Sequence, residues 1–308
     1  MKITYMFVNI AVIMFFPFIM TGLVNKTKAF WGGRKGASVF QIFYDVLRLM
    51  KKGRVISTST GWVFNVAPVV SLAAVLCSAA VVPMTGGIQM AGFHGDFVFF
   101  MYLLGISRFM MVVMAMDTSS SFEGMGASRE ASFSTFAEPA FFIFAGTFAL
   151  ISGKLSFGEI IVHMPRGEGW TEIIIFVAVV LVFLIMLAET CRVPIDDPCT
   201  HLELTMIHEV MILDSSGPDL AIFTYQNSLK MLIWSSIISA FLFPSTNFLI
   251  ADFSLLITTY VAVSLITGTL ESVVARFRMN TVPQFLFIMI TLGLVILSVA
   301  VFFSKGGL

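Results

Sequence analysis

Apolar runs about as long as a bilayer is thick follow one another along this chain. They fall near 4–24, 62–83, 96–116, 133–152, 172–190, 228–246, 251–272 and 284–303, separated by more polar stretches. Each is long enough for a transmembrane helix, so the pattern predicts an all-α integral membrane protein with eight spans in a single polytopic domain, 1–308. The first run, Ile3 to Val24, is too long for a signal-peptide core, lacks a small-residue cleavage site and has its basic residues after it. It is expected to be a span, not a leader. Between the first two spans, Val39, Phe40, Phe43, Val46, Leu47 and Met50 share a helical face, with Gln41, Asp45, Arg48 and Lys52 elsewhere. That spacing predicts an amphipathic helix lying at the interface. No internal repeat stands out.

The pattern changes between Ala188 and Leu220. This stretch holds Glu189, Asp196, Asp197, Glu203, Glu209, Asp214 and Asp219, with His201, His208, Cys191, Cys199 and Arg192. Pro194 and Pro198 interrupt the helix that arrives at Glu189, because each lacks a backbone donor and disfavours helix just before it. A short helix is expected from about Cys199 to Leu213, with Asp196 or Asp197 near its positive end, and Ser215-Ser216-Gly217-Pro218 to stop it.

Basic residues orient the spans. The first connection carries Lys26, Lys28, Arg34, Lys35, Arg48, Lys51, Lys52 and Arg54, and the loops assigned to the same side carry Arg129, Arg192, Lys230, Arg276 and Arg278. The opposite side has Lys2, Lys154, Arg166 and Lys305. The positive-inside rule makes the basic side cytoplasmic and puts both termini outside, in an inner (cytoplasmic) membrane. Composition agrees: 58% hydrophobic and 12% charged, where a soluble domain is about a quarter charged. Zero net charge removes any case for nucleic-acid binding. The three cysteines form no CxxC pair and no cluster with metal-ligand spacing, so no metal, Fe–S or other cofactor site is expected in this chain.

Ionisable groups in or at the ends of spans are costly and call for a reason. They are Arg108, Asp117, Glu130, Glu138, Glu189 and Glu271. One reading is structural: interface residues at helix ends, and a buried pair between Arg108 and Glu138 that locks helices together. The other is a polar track leading from the cytoplasmic loops into the membrane, where carboxylates in apolar surroundings take up and release protons. His201 and His208 are i and i+7 on a predicted stripe, which suits a titratable pair or helix packing better than a metal site.

Three separated motifs carry a family resemblance. The first is Arg34-Lys35-Gly36 with Gln41, Asp45, Arg48 and Leu49. The second runs from Asp117-Thr118 through Gly126-Ala127-Ser128-Arg129-Glu130 to Glu138-Pro139. The third is Ala188-Glu189-Thr190, Arg192, Pro194, Asp196, Pro198 and Glu203-Leu204, and Arg276-x-Arg278 before Pro283 adds to it. Together they resemble the respiratory complex I membrane subunit that adjoins the peripheral arm. They are closer still to its counterpart in hydrogenase 4, formate hydrogenlyase and other group 4 membrane-bound hydrogenases. Complex I members continue the third motif with further glutamates where this chain has Cys199 and His201. They also have a Gly- and Tyr-containing segment where it has Ile207-His208-Glu209-Val210, which favours the hydrogenase-type branch.

The resemblance implies a cofactor-free subunit, with no catalytic residues of its own, that anchors a hydrophilic electron-transfer arm and begins the path coupling electron transfer to proton or sodium movement. Fe–S clusters, and Ni–Fe chemistry in the hydrogenase branch, would belong to partners: Fe–S and large hydrogenase-like subunits on the cytoplasmic side, with antiporter-like subunits in the membrane. Carried over by motif and chemistry, Glu138, Glu189, Asp196, Glu203, Glu130, Asp117, His208 and Glu209 would form the ion path. Arg34, Gln41, Asp45, Arg48, Arg129, Arg192, Asp197, Asp214, Arg276 and Arg278 would dock the arm and line its cavity. The residues alone also allow a stand-alone ion-coupled transporter, or a passive anchor whose carboxylates are structural.

Overall fold

The computed structural model describes residues 2–167, 169–196, 206–246 and 248–306, apart from the side chains of Lys2, Thr135 and residues 304–306. It is all-helical among these residues. The chain forms α1 (Lys2–Trp31), α2 (Gln41–Met50), α3 (Trp62–Val81), α4 (Asp96–Asp117), α5 (Ser121–Ser152), α6 (Phe157–Val162), α7 (Gly169–Glu189), α8 (His208–Met211), α9 (Pro218–Leu242), α10 (Leu249–Val273) and α11 (Val282–Gly306).

Seven of these helices, α1, α3, α4, α5, α7, α10 and α11, are long and apolar enough to cross a membrane. The eighth expected span, 228–246, is part of α9, which starts ten residues earlier. With Asp219, Gln226, Asn227, Lys230 and four serines, α9 is less apolar than the others. Its position accounts for that composition. It packs against α1, α2, α3, α7 and α10 and is buried along almost its whole length from Ser228 to Phe241, so it meets protein rather than lipid. Lys230, assigned from sequence to a cytoplasmic loop, is corrected to the interior of this helix, where it is buried. The outer helices turn large apolar side chains outward, among them Phe7, Phe109, Phe176 and Ile250.

The helices alternate in direction, and two polar ends result. At one end Tyr5 donates to Asp252, Arg166 donates to the carbonyls of Ala240, Phe241 and Leu242, and Trp170 stacks on Phe303 with ring centroids 5.5 Å apart. The start of α1 and the finish of α11 therefore lie at the same end of the bundle. The other end gathers α2, α8 and the segments 51–61, 190–196, 206–217 and 274–281, with most of the basic residues. The amphipathic helix expected between the first two spans is α2, which seats Val46 with Phe18 and Ala221 against α1 and α9. Between the ends, Phe100, Phe141, Phe157 and Trp234 pack edge-on or tilted at 5.5–6.2 Å, extended by Phe144, Phe148 and Phe241. All are buried, which closes the bundle interior toward the end that carries Arg166.

Candidate functional site

The buried charges converge on one arginine. Arg108, from the middle of α4, presents a different nitrogen to each of three carboxylates. Nη2 donates to Glu189 at 2.5 Å, Nη1 donates to Glu138 at 3.0 Å, and Nε lies 3.5 Å from Glu130. Glu130 and Glu138 are two helical turns apart on α5, so they share a face, and Glu189 closes the group from the last turn of α7. A guanidinium suits the position because its donors are fixed in a planar fork, and Lys has no equivalent. The four side chains differ in exposure: 7% for Arg108, 3% for Glu189, 16% for Glu130 and 42% for Glu138. Glu138 is thus the member turned to the flank of the bundle. A cavity of about 20 Å³ lies against Arg108, Glu130, Glu189 and Cys191, enough for about one water. Burial pushes the Cys191 thiol well above its usual range, and Glu130 and Asp196 add to this.

Over this cluster lies the segment after α7. Arg192 donates to Glu271 of α10 at 2.8 Å, and Lys28 of α1 sits 2.9 Å from the other oxygen of Glu271, so one buried carboxylate ties α1, α10 and the segment together. Asp196 does the same further on. It accepts from the backbone N–H of Ile207 and His208 at 3.0 and 3.1 Å, which caps α8, and it pairs with Arg276 at 3.0 Å. Gly126 allows α8 to lie against α5, since a Cβ there would stand 2.3 Å from Val210 and 3.0 Å from the Ile207 carbonyl. Three residues later, Arg129 donates to the Met206 carbonyl at 2.8 Å.

A second cavity, about 240 Å³, opens between α1, α9, α10 and this segment. Lys28, Arg192, His208, Glu209, Asn227 and Glu271 bring polar groups to it. His208 Nδ1, Asn227 Oδ1 and Arg192 Nε have no hydrogen-bond partner among the described residues. Buried polar groups of this kind are ordinarily satisfied by water. His208 is buried and its pKa is pushed down to about 3, first by loss of hydration and then by the charge of Lys230, so the imidazole is neutral at physiological pH.

The structure brings Glu130, Glu138 and Glu189 into one cluster, with Arg192, Asp196 and His208 in the segment after α7, and with Arg129 of α5 and Arg276 after α10 bonded to that segment. Glu209 lines the larger cavity. Asp117 lies apart. It accepts from the N–H groups of Gly61 and Phe64 at 2.8 and 3.1 Å, which satisfies the first turn of α3. Arg34, Arg48, Asp214 and Arg278 are exposed, and Gln41 donates to Asp45, which also pairs with Arg48. Asp197 and Glu203, with Cys199 and His201, lie outside the described residues. The helix expected from Cys199 to Leu213 is, in its described part, the single turn α8, because Met206 and Ile207 are not helical. Sequence reasoning missed two things. Arg108 is the hub of the group rather than one half of a pair, and Lys230 is a buried charge. An arginine in the apolar run of α4 was the available signal for the first. The second was hidden by placing the start of α9 ten residues late.

A family model described as NADH dehydrogenase matches residues 3–302. Hydrogenase-4 component C of Escherichia coli (strain K12) is 27% identical over 273 residues, which is 88% of this chain and 85% of that protein. Formate hydrogenlyase subunit 4 of the same organism is 25% identical over 294 residues, 92% and 94% of the two chains. One of the NADH-quinone oxidoreductase subunits of Salinibacter ruber is 26% identical over 190 residues, covering 58% of this chain and 55% of its own length. A solved chain from the membrane-bound sulfane sulfur reductase, an archaeal respiratory membrane complex, superposes with a TM-score of 0.82 at 18% identity, covering 95% of this chain and 98% of its own. At that identity the match speaks for the fold.

Proposed function

The chain belongs to the NADH dehydrogenase family, and from that premise we propose that it is the membrane-embedded coupling and anchoring subunit of a complex I-like, hydrogenase-type oxidoreductase. Its basic end receives a hydrophilic electron-transfer arm, and its buried carboxylates start the ion path that electron transfer drives. The observation that carries this reading is the Arg108 cluster: three carboxylates on one cation, inside helices that cross the membrane, at the end of the bundle where Arg192 and Asp196 lie. A purely structural lock would need one carboxylate. The surplus acids are sites that protons can occupy and leave.

In this reading protons enter from the cytoplasmic side through the hydrated cavity at His208, Arg192 and Glu271. They then move to the cluster at Glu189 and Glu130. The aromatic packing of Phe100, Phe141 and Trp234 lies beyond the cluster, so the onward step is lateral, through Glu138, into a neighbouring membrane subunit. The positive-inside rule orients the basic end to the cytoplasm of a bacterial-type inner membrane, with both termini outside. Fe–S clusters, and Ni–Fe in a hydrogenase, reside in the partner subunits, and antiporter-like subunits adjoin Glu138.

The exposed face formed by Arg34, Arg48, Asp214 and Arg278 is assigned to the arm. Reversing charge at Arg34 and Arg48 together should leave this subunit in the membrane while the arm's iron is lost from the purified complex. Full retention of iron would remove that face from the docking surface. A passive anchor separates from the coupling reading by its pumping, which would survive neutralisation of the cluster carboxylates.

A further inference from the structure

Glu138 is the only charge of α5 between Ala131 and Ser152, and its side chain stands 42% exposed on the flank of the bundle. From inside, Arg108 donates to its Oε1 at 3.0 Å. Lipid has no donor for the outer side of this carboxylate, and ionisable groups turned to hydrocarbon are costly to keep. The face of α5 around it is unlike the rest of the outer surface. Other spanning helices turn Phe7, Phe176, Ile250 or Phe287 outward, whereas α5 exposes no large apolar side chain between Phe122 and Leu150 among the described residues. Its outward face carries Gly124, Ser128, Ser132 and Gly146, at spacings that set them on one side of the helix with Glu138.

Glycine weakens a helix, and packing within the chain does not call for it at these two places. A Cβ at Gly124 or Gly146 would meet nothing within 4 Å among the described residues. At Gly22, Gly126 and Gly268, by contrast, a Cβ would strike another segment of the chain. The polar atoms of the face are acceptors. The Ser128 and Ser132 hydroxyls donate to the carbonyls of Met125 and Ser128 in their own helix, at 2.9 and 2.8 Å, which leaves their oxygens to accept. Pro139 deprives the carbonyl four residues earlier of its helical donor.

Resting on the coupling reading above, we propose that this face of α5 seats one transmembrane helix of a neighbouring membrane subunit. That helix packs closely along Gly124–Gly146 and brings a side-chain N–H or O–H donor to Glu138. Small residues let two backbones approach, and in hydrocarbon close packing and interhelical hydrogen bonds hold helices together. The contact that seats the helix is then also the point where the lateral step leaves this chain. An acyl chain supplies no donor. A second copy of this chain would set one Glu138 face against the other, two carboxylates with no cation of α5 between Ala131 and Ser152 to separate them.

The test uses the intact complex, irradiated in its own membrane with a photo-crosslinking residue at position 128 or 146 and then purified. Both positions should capture the same other membrane subunit, with the linked peptides falling in one transmembrane helix. Capture of lipid alone, or of a second copy of this chain, overturns the proposal. Gly146→Leu has room within this chain, so the subunit should insert and keep the arm. The neighbour should fall about tenfold or more in the purified complex, because the added side chain holds the two helices apart. Full retention of the neighbour in Gly146→Leu overturns the close packing, and if that variant does not insert, the crosslinks decide. Pumping by Glu138→Gln keeps the two claims apart. If it stops while positions 128 and 146 capture no subunit, only this inference fails. If the neighbour is captured while an assembled Glu138→Gln complex pumps normally, the docking face stands and the coupling reading fails.

Discussion

Replacing Arg108 separates charge from geometry. Its three nitrogens lie 2.5, 3.0 and 3.5 Å from Glu189, Glu138 and Glu130. At such distances each contact amounts to about 5 kcal/mol of gross attraction at an effective dielectric of about 20, most of it offset by lost hydration. The net consequence of removing the cation is better gauged from buried pairs that lose one partner, about 3–5 kcal/mol. Against a total stability of about 5–15 kcal/mol, Arg108→Gln should lower the folded-to-unfolded ratio by about a hundredfold or more. Arg108→Lys keeps the charge, but one ammonium cannot meet three acids contributed by two helices, so it should lose one charged hydrogen bond or more, about 1.5–3 kcal/mol. The assay is the amount of assembled complex on a native gel after mild detergent extraction, beside the amount of this subunit inserted. The expected order is native, then Arg108→Lys, then Arg108→Gln with little or no complex. Equal assembly of Arg108→Gln and the native complex would refute the claim that this residue holds α4, α5 and α7 together.

Two other predictions concern pH and orientation. The pKa of His208 lies at about 3 in the folded chain, below its unfolded value of 6.5, so stability is fully present above pH 6.5 and is lost as pH falls from there toward 3. His208→Gln, which cannot charge, should lose about 2 kcal/mol less than the native protein between pH 7 and 5, read as a smaller drop in thermal midpoint. Identical drops would show that His208 is not held neutral. A reporter active only in the cytoplasm, fused after Leu308, should be silent, and activity there would reverse the orientation drawn from the basic loops.

The long helices were legible because a bilayer imposes a minimum apolar length, and seven of the eight expected runs overlap helices that meet it. The eighth was legible only in part. The central helix α9 is enclosed by protein, so its first turns could be polar, and hydropathy placed its start at 228 rather than Pro218. That displacement concealed Lys230. The acids of the site were visible one by one as charges in or near apolar runs, and the spacing of Glu130 and Glu138 told that they share a face. Their meeting with Glu189 on Arg108 was not visible, because it depends on how α4, α5 and α7 pack. Asp117 shows the same limit. Its place at the end of α4 allowed either an interface residue or a path acid, and its bonds to the first turn of α3, across 53 and 56 residues of sequence, could not be read from that place.

The coupling role turns most directly on Glu138, the one acid of the cluster open to the flank of the bundle, at 42% exposure. Glu138→Gln keeps the volume and a hydrogen-bonding group beside Arg108 but cannot carry a proton, and Glu130 and Glu189 remain to hold the cation. Ion pumping per electron transferred should be measured in sealed vesicles containing the purified complex, with Glu138→Asp as control. The account predicts a fully assembled Glu138→Gln complex in which electron transfer continues and pumping falls about tenfold or more, with partial recovery in Glu138→Asp. Native pumping in a fully assembled Glu138→Gln complex would contradict it.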